Sequence, residues 1–293
     1  MTISNSEKRT TRDGTARAPA RRRVLDPVAV AVFRRLVRDA GRHHHRPMPW
    51  RADPTPYHVV VSEIMLQQTQ VARVLGKYAT FIALFPDFQS MASAPLADVL
   101  RAWQGLGYNR RARSLWEVAR AVVAKHHGVL PAGEADLRAL PGIGSYTAGA
   151  IMAFAFNLPA VFIETNIRTV YMHRFFRDQQ NVHDRDIMPL VEKTLDRRNP
   201  RRWYNALMDY GAWLKGRGIN LNRKNPGYRP QSRFEGSTRQ LRGGILRRLA
   251  VGGTDVATLG ATTGRPVAEV RAVLASLVRD GLVRHLGRCH TLA

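Results

Sequence analysis

The chain has 293 residues, with 46 Lys and Arg against 22 Asp and Glu and a formal charge of +24, the electrostatic footprint of a protein that meets a polyanion. The excess is mostly arginine, which favours bidentate phosphate contact. No apolar run is long enough to span a membrane, and the one cysteine, Cys289, excludes an internal disulfide and any metal or iron–sulfur centre built from cysteines of one chain.

Residues 1–25 carry Arg, Thr, Ser and Ala without apolar periodicity and are expected to form a disordered basic tail. From Pro27 the spacing of apolar residues predicts helices joined by short loops. They fall over Val28–Val37, Tyr57–Leu75, Pro95–Trp103, Ala112–His126, Glu134–Leu140, Ser145–Phe156, Asn166–Phe176, Ile187–Leu195 and Trp203–Lys215. Pro86, Pro131, Pro141, Pro159 and Pro200 punctuate them. Residues 216–240 are polar, basic and poor in helix signals and read as a linker, with Asn and Pro residues, Tyr228 and Phe234 ordering it. Helices resume at Leu241–Leu249, Thr254–Leu259 and Val267–Arg279, followed by short strands at Gly281–Arg284 and Arg288–Leu292. Three helices and a hairpin over 241–293 make a winged-helix-like pattern, serving either DNA or protein contacts. The class is all-α.

Two segments carry chemistry. Leu140-Pro141-Gly142-Ile143-Gly144-Ser145-Tyr146 makes a tight turn opening a helix of small residues. Exposed N–H groups around Gly142, Gly144 and Ser145 form an anion site suited to a DNA phosphate. Ser62-Glu63-Ile64-Met65-Leu66-Gln67-Gln68-Thr69-Gln70-Val71 places Glu63 among apolar neighbours, where partial desolvation keeps a carboxyl protonated near neutral pH. His43-His44-His45 has no carboxylate or cysteine partner nearby in sequence and reads as a surface tract.

These two segments, with Pro49-Trp50-Arg51, Thr55-Pro56-Tyr57 and Trp103-Gln104-Gly105-Leu106-Gly107-Tyr108, resemble the helix-hairpin-helix base-excision superfamily, and more closely its MutY-type adenine DNA glycosylases. The likeness runs from about Arg46 to Lys215. It implies two helical subdomains flanking a DNA cleft, one from residues 26–56 plus 161–215 and the other from 57–160 with the hairpin. It further implies a monofunctional glycosylase that hydrolyses the N-glycosidic bond of a flipped purine, mispaired adenine first, in double-stranded DNA holding a mismatched or damaged base. A monomer in the cytoplasm, associated with the nucleoid, is expected.

By this likeness Glu63 protonates the departing base. Glu164 stands at the position of the family's aspartate, with Thr165 replacing a glycine and Asn166 matching an asparagine. Glu164 then stabilises the sugar's oxocarbenium character, or it merely caps the helix that begins near Asn166. Tyr146 occupies the position where the lyase branch has lysine. It has no amine to form a Schiff base, so an intact abasic site is expected; Tyr146 either hydrogen-bonds near the sugar or packs at the hairpin. Gln67, Gln68 and Tyr108 are the candidates to fill the gap left by the flipped base. Arg110, Arg111 and Arg113 are expected to neutralise phosphates. A monovalent cation, Na+ or K+, on the carbonyls of Arg138, Leu140 and Ile143 is implied by the superfamily.

The family's [4Fe–4S] cysteines align with Lys215, Asn222, Asn225 and Gln231, so the cluster is expected to be absent. The family's Nudix-like domain, which reads 8-oxoguanine, has no counterpart in residues 241–293. Two alternatives follow: the same scaffold acting on mismatched thymine or uracil or on an altered purine, or a non-catalytic DNA-binding regulator.

Overall fold

The computed structural model describes residues 25–293; the expected basic tail lies outside the described residues apart from Leu25, which is buried in the core rather than solvated. The helices in chain order are α1 (Pro27–His43), α2 (Pro49–Ala52), α3 (Pro56–Leu66), α4 (Val71–Leu84), α5 (Phe88–Ser93), α6 (Leu96–Ala102), α7 (Arg110–His126) and α8 (Glu134–Arg138). They continue with α9 (Ser145–Ala155), α10 (Thr165–Phe175), α11 (Asp184–Thr194), α12 (Pro200–Gly216), α13 (Thr238–Val251), α14 (Val256–Thr263) and α15 (Val267–Arg279). A 3-10 turn spans Leu221–Lys224, and β1 (Val283–Leu286) pairs antiparallel with β2 (Cys289–Leu292), with Val283 opposite Leu292.

The starts of these helices are written locally. Asp26 accepts the Ala29 N–H ahead of Pro27, Thr55 accepts the His58 N–H ahead of Pro56, and Asn199 accepts the Arg202 N–H ahead of Pro200. Each pairs a polar N-cap with proline at the first helical position. Asp87 and Ser90 close a reciprocal capping box on α5.

Two helices are apolar on nearly every face. In α3 Tyr57 and all residues from Val59 to Met65 are buried, and in α9 Thr147–Ile151 and Ala153–Ala155 are buried. Such helices can only be central, and they pack against each other, with α7 also against α3. The amphipathic helices α1, α11 and α12, with the mostly buried α10 among them, form the neighbouring layer, where Phe33 meets Tyr171, Phe175 and Trp203. The C-terminal helices and hairpin bury Leu241, Ile245, Leu259, Val270, Leu274 and Leu277, which continue the core of the body, with α13 and β2 packed against α6. Asp280 ties them to the body through its carboxylate to Arg110 and its carbonyl to Arg113, and Arg242 of α13 pairs with the same carboxylate.

The helix expected over Tyr57–Leu75 is two helices. It breaks at Gln67–Gln70, where Gln68 adopts φ +53°, and Leu75 is exposed. The short helices α2 and α5 lie outside the sequence expectation. The stretch 216–240 contains the 3-10 turn and the first residues of α13. It is ordered by Asn222 and Asn225, both buried, while Phe234 is exposed.

Helices α10 and α12 approach so closely that a Cβ at Gly211 would collide with the backbone carbonyl of Asn166. Gly211→Ala is expected to destabilise the fold by about 1–3 kcal/mol, read as a lowered midpoint in urea denaturation at unchanged slope.

Candidate active site

A cavity of about 240 Å³ opens between these two layers, lined among others by Arg51, Glu63, Gln67, Tyr146, Glu164 and Asn166. Four residues singled out in the sequence as chemical (Glu63, Tyr146, Glu164 and Asn166) thus meet at one cavity, though α3, α9 and α10 are far apart in the chain. The volume is below that of drug-sized pockets, roughly 300–1,000 Å³, and of the scale of a nucleobase.

Glu63 sits near the C-terminal end of α3 and is 6% exposed. The Tyr146 hydroxyl, from the first turn of α9, donates to Glu63 Oε2 at 3.3 Å. Burial pushes the Glu63 carboxyl from its ordinary 4.5 up to about 7; the Tyr146 hydrogen bond opposes this, the Glu164 charge adds to it and Arg51 opposes it. Tyr146 itself is driven well above its usual range by burial and by both glutamates, so it remains a hydrogen-bond donor. Its ring stands edge-on to Phe162 at 5.7 Å.

Glu164 is the N-cap of α10. Its Oε1 accepts the backbone N–H groups of Asn166 and Ile167 at 2.7 and 2.8 Å. Its Oε2 accepts the Thr165 hydroxyl and the Asn166 Nδ2, both at 3.2 Å. The same carboxyl therefore caps a helix and lines the cavity. The wall beyond is held by Asp209, which is 1% exposed and bound by Arg46 Nε at 2.6 Å and Arg51 Nη1 at 2.8 Å. Sequence reasoning missed this trio; its signal is a lone acid among the buried residues of α12.

At the cavity rim Gln67 donates through Nε2 to Thr147 Oγ1 at 3.3 Å. Gln68 at φ +53° and Tyr108 at φ +47° flank a second cleft of about 430 Å³, lined also by Arg110, Arg239 and Arg242. Non-glycine residues in this region are strained and concentrate at functional sites. The Tyr108 hydroxyl accepts Gln231 Nε2 at 2.9 Å and Arg239 Nη1 at 2.7 Å, so the linker and α13 close over the loop. Nothing in the local sequence marks Arg239 for this contact.

The basic run corrects the sequence expectation. Arg111 does not face solvent or phosphate: it is buried and donates to the carbonyls of Ile64, Met65, Gln67, Leu106 and Gly107 and to Thr69 Oγ1. Burial lowers its guanidinium to about 10, with the nearby Tyr108 opposing. It closes the C-terminal end of α3, whose last carbonyls have no helical partner. Arg113 binds Glu117 Oε1 at 2.8 Å and the Asp280 carbonyl at 2.5 Å, and its side chain remains 37% exposed. Arg110 pairs with Asp280 but is 72% exposed and stays within reach of solvent.

Gly142 at φ +75° turns the hairpin, and a Cβ there would meet Ser114 at 2.8 Å. Above Gly144 the space is open, and no side chain caps the N-terminus of α9. Ser145, Gly142 and Gly144 are exposed. Leu140's carbonyl accepts the Ile143 N–H at 3.2 Å, and Arg138 is exposed.

The four positions aligned with cluster cysteines do not fit an iron–sulfur group. They offer amides and an amine that are already engaged: Asn222 with Thr165, Thr169 and Arg168, Asn225 with Asp184, Gln231 with Gln68 and Tyr108, and Lys215 with Thr165. Among the described residues no group of three or more His, Cys, Asp or Glu side chains is placed to hold a metal ion.

The family model described as HhH-GPD superfamily base excision DNA repair protein matches residues 61–197. An adenine DNA glycosylase of Mycolicibacterium smegmatis is 33% identical over 262 residues, covering 82% of this chain and 89% of that protein. The chain belongs to the HhH-GPD superfamily of base excision DNA repair proteins. An adenine DNA glycosylase of Buchnera aphidicola subsp. Baizongia pistaciae is 37% identical over 179 residues, 59% of this chain and 50% of that protein, and one of Mycobacterium tuberculosis is 44% identical over 127 residues, 43% and 42%. The chain thus spans about half the length of these two curated relatives. The solved structure of a thermostable thymine-DNA glycosylase superposes with a TM-score of 0.57 at 27% identity, covering 62% of this chain and 86% of that one. Among the described residues no helix is long and apolar enough to cross a membrane.

Two outcomes follow from this geometry. Because Glu63 has a native pKa of about 7 against an ordinary 4.5, stability falls as pH rises from about 4.5 to about 7 and levels above. Glu63→Gln is therefore expected to be more stable than the parent at pH 8, on the order of 3 kcal/mol, with the difference vanishing near pH 4 in parallel denaturation curves. Arg111→Ala is expected to lower the denaturation midpoint yet leave the salt slope of DNA binding unchanged, where loss of a phosphate contact would reduce it by about 0.9.

Proposed function

We propose that the protein is a DNA glycosylase that hydrolyses the N-glycosidic bond of an adenine flipped out of a mispaired duplex. The observation that carries this is the protonation-favouring burial of Glu63 on the same cavity as the hydrogen-bonded carboxylate of Glu164. Environments that differ this much divide two carboxyls into acid and anion.

Glu63 gives its proton to the base ring, so the base departs neutral as the C1′–N bond breaks. Glu164, aided by Asn166, faces the positive charge that develops on the sugar. Water adds its hydroxyl to C1′, and its proton replaces the one lost by Glu63. Tyr146 holds the Glu63 carboxyl and offers no amine, so the product is an intact abasic site and the reaction is monofunctional.

The hairpin around Gly142, Gly144 and Ser145 takes a phosphate at the open N-terminus of α9, with a monovalent cation on the carbonyls of Arg138, Leu140 and Ile143. Gln67, Gln68 and Tyr108 enter the duplex beside the second cleft, and Arg110 reaches a phosphate. In this function the body divides into subdomains 26–56 plus 161–215 and 57–160, with residues 241–293 as a winged-helix module against the DNA. The protein works without an iron–sulfur cluster, the Asn222 and Asn225 network standing in its place.

A second target base is favoured by one observation, the Glu164 and Thr165 pair where the resembled adenine glycosylases have aspartate and glycine. A panel of duplexes, each with one mismatched or altered base, resolves both. Incubation with protein and then hot alkali is expected to break the strand at mispaired adenine, and breaks at thymine or uracil mismatches instead would reassign the target. Breaks without alkali would refute the monofunctional assignment. Tight binding with no breaks on any duplex would leave a regulator. Glu63→Gln is expected to bind equally well and to lose at least about a hundredfold in single-turnover rate. The parent's rate should fall about tenfold per pH unit above pH 7.

A further inference from the structure

Three departures from the resembled family lie on one hydrogen-bonded chain. Lys215 Nζ, at the last turn of α12, donates to Thr165 Oγ1 at 2.9 Å. Thr165 Oγ1 donates in turn to Glu164 Oε2 at 3.2 Å. By the resemblance Lys215 stands where that family has a cluster cysteine, Thr165 where it has a glycine and Glu164 where it has an aspartate, so the replacements meet in space.

The direction of the chain is fixed by valence. An ammonium has donors and no acceptor, so the threonine oxygen must accept from it. The single threonine O–H is then free only to donate onward, and it points at Glu164. Without the lysine that hydroxyl can rotate toward a backbone carbonyl or water. Glu164 needs such guidance more than an aspartate would, because its extra methylene adds a rotatable bond whose freedom must be lost on ordering. Its Oε1 is already held by two backbone N–H groups, which leaves Oε2 as the atom whose direction the side chains set.

Neighbouring cations are occupied elsewhere: Arg168 by Asp184 at 2.6 and 2.7 Å, and Arg46 by Asp209 at 2.6 Å. Burial lowers the Lys215 pKa, Glu164 raises it, and Arg168 and Arg46 lower it again. The ammonium is thus held in place chiefly by its contact to the Thr165–Glu164 pair.

We propose that Lys215 is a positioning residue that acts through Thr165 to orient the Glu164 carboxylate toward the cationic sugar. The inference rests on the glycosylase function proposed above. It is tested with two duplexes that differ only at the target nucleotide, one carrying a pyrrolidine abasic analogue, cationic at neutral pH, and one the neutral tetrahydrofuran analogue. The readout is the ratio of the two dissociation constants, in which general losses of DNA affinity or folding cancel.

The parent is expected to prefer the cationic duplex by tenfold or more. Lys215→Met and Thr165→Val should each lose about tenfold of that preference, the worth of one charge-assisted hydrogen bond, with little change for tetrahydrofuran DNA. Lys215→Arg and Thr165→Ser should restore it, and the double variant Lys215→Met/Thr165→Val should be no worse than Thr165→Val alone. A ratio unchanged in Lys215→Met, in a parent that excises a base from the duplex panel, would overturn the relay alone. Equal losses on both duplexes would overturn it as well, leaving Lys215 a helix-packing contact. A parent with neither excision nor cation preference would sink the glycosylase reading, and the relay with it.

Discussion

The site depends on keeping one carboxyl out of water without ionising it. An unpaired buried carboxylate is costly, so burial near the C-terminal end of an apolar helix pushes Glu63 toward its neutral form. That requires α3 to be central and dry, which its run of buried residues from Val59 to Met65 ensures. It also requires a polar partner inside the core, and Tyr146 supplies a single hydroxyl. Glu164 has the opposite surroundings, with four donors converging on its two oxygens. One cavity thus holds two like side chains in unlike surroundings, burial at one and a helix N-terminus at the other.

Placing Glu63 also requires α3 to stop in time. A helix end leaves carbonyls without partners, and here a guanidinium from α7 takes them. Arg111 spends its donors on the carbonyls of α3 and of the 106–107 turn together. The same side chain therefore fixes two tips, Gln68 and Tyr108, both in left-handed backbone conformations. Its desolvation is offset only because so many acceptors converge. Removing it would leave several buried carbonyls unmet, each costing on the order of 1–3 kcal/mol.

Much of this was legible in the chain. Amphipathic spacing locates α7, α12 and α15 to within a few residues, because each buries one face and exposes the other. The helix opened by the Pro-Gly-Ile-Gly turn, through Tyr146, and the Ser62–Val71 segment do reach one cavity. The break after Leu66 was not legible, because apolar positions at Val71 and Leu75 continue the helical spacing across it. What ends the helix is a side chain 45 residues downstream of Leu66, invisible to any local window. Arg110, Arg111 and Arg113 look alike in sequence, and only the fold decides which is buried, which is paired and which is exposed. Helices as short as α2 and α5 contain too few turns for periodicity to register. The buried amides Asn222 and Asn225 read as loop residues, since their partners Thr169 and Asp184 lie on other elements.

The C-terminal helices are joined to this machinery at Asp280, which Arg110 and Arg113 both contact. Burial alone would raise the Asp280 carboxyl, but the hydrogen bonds from Arg110 and Arg242 hold it below its ordinary value. The two arginines differ in kind. Arg242 is 21% exposed and also bonds Ser276, within the C-terminal unit itself. Arg110 is 72% exposed and is the first residue of α7, just after the turn that carries Tyr108. An ion pair at such exposure is worth about 1 kcal/mol or less, so the Asp280 carboxylate is held chiefly by Arg242. The C-terminal unit is thus joined to the body twice at residue 280, through its carboxylate to Arg110 and its carbonyl to Arg113, while Tyr108 is held separately by Gln231 and Arg239.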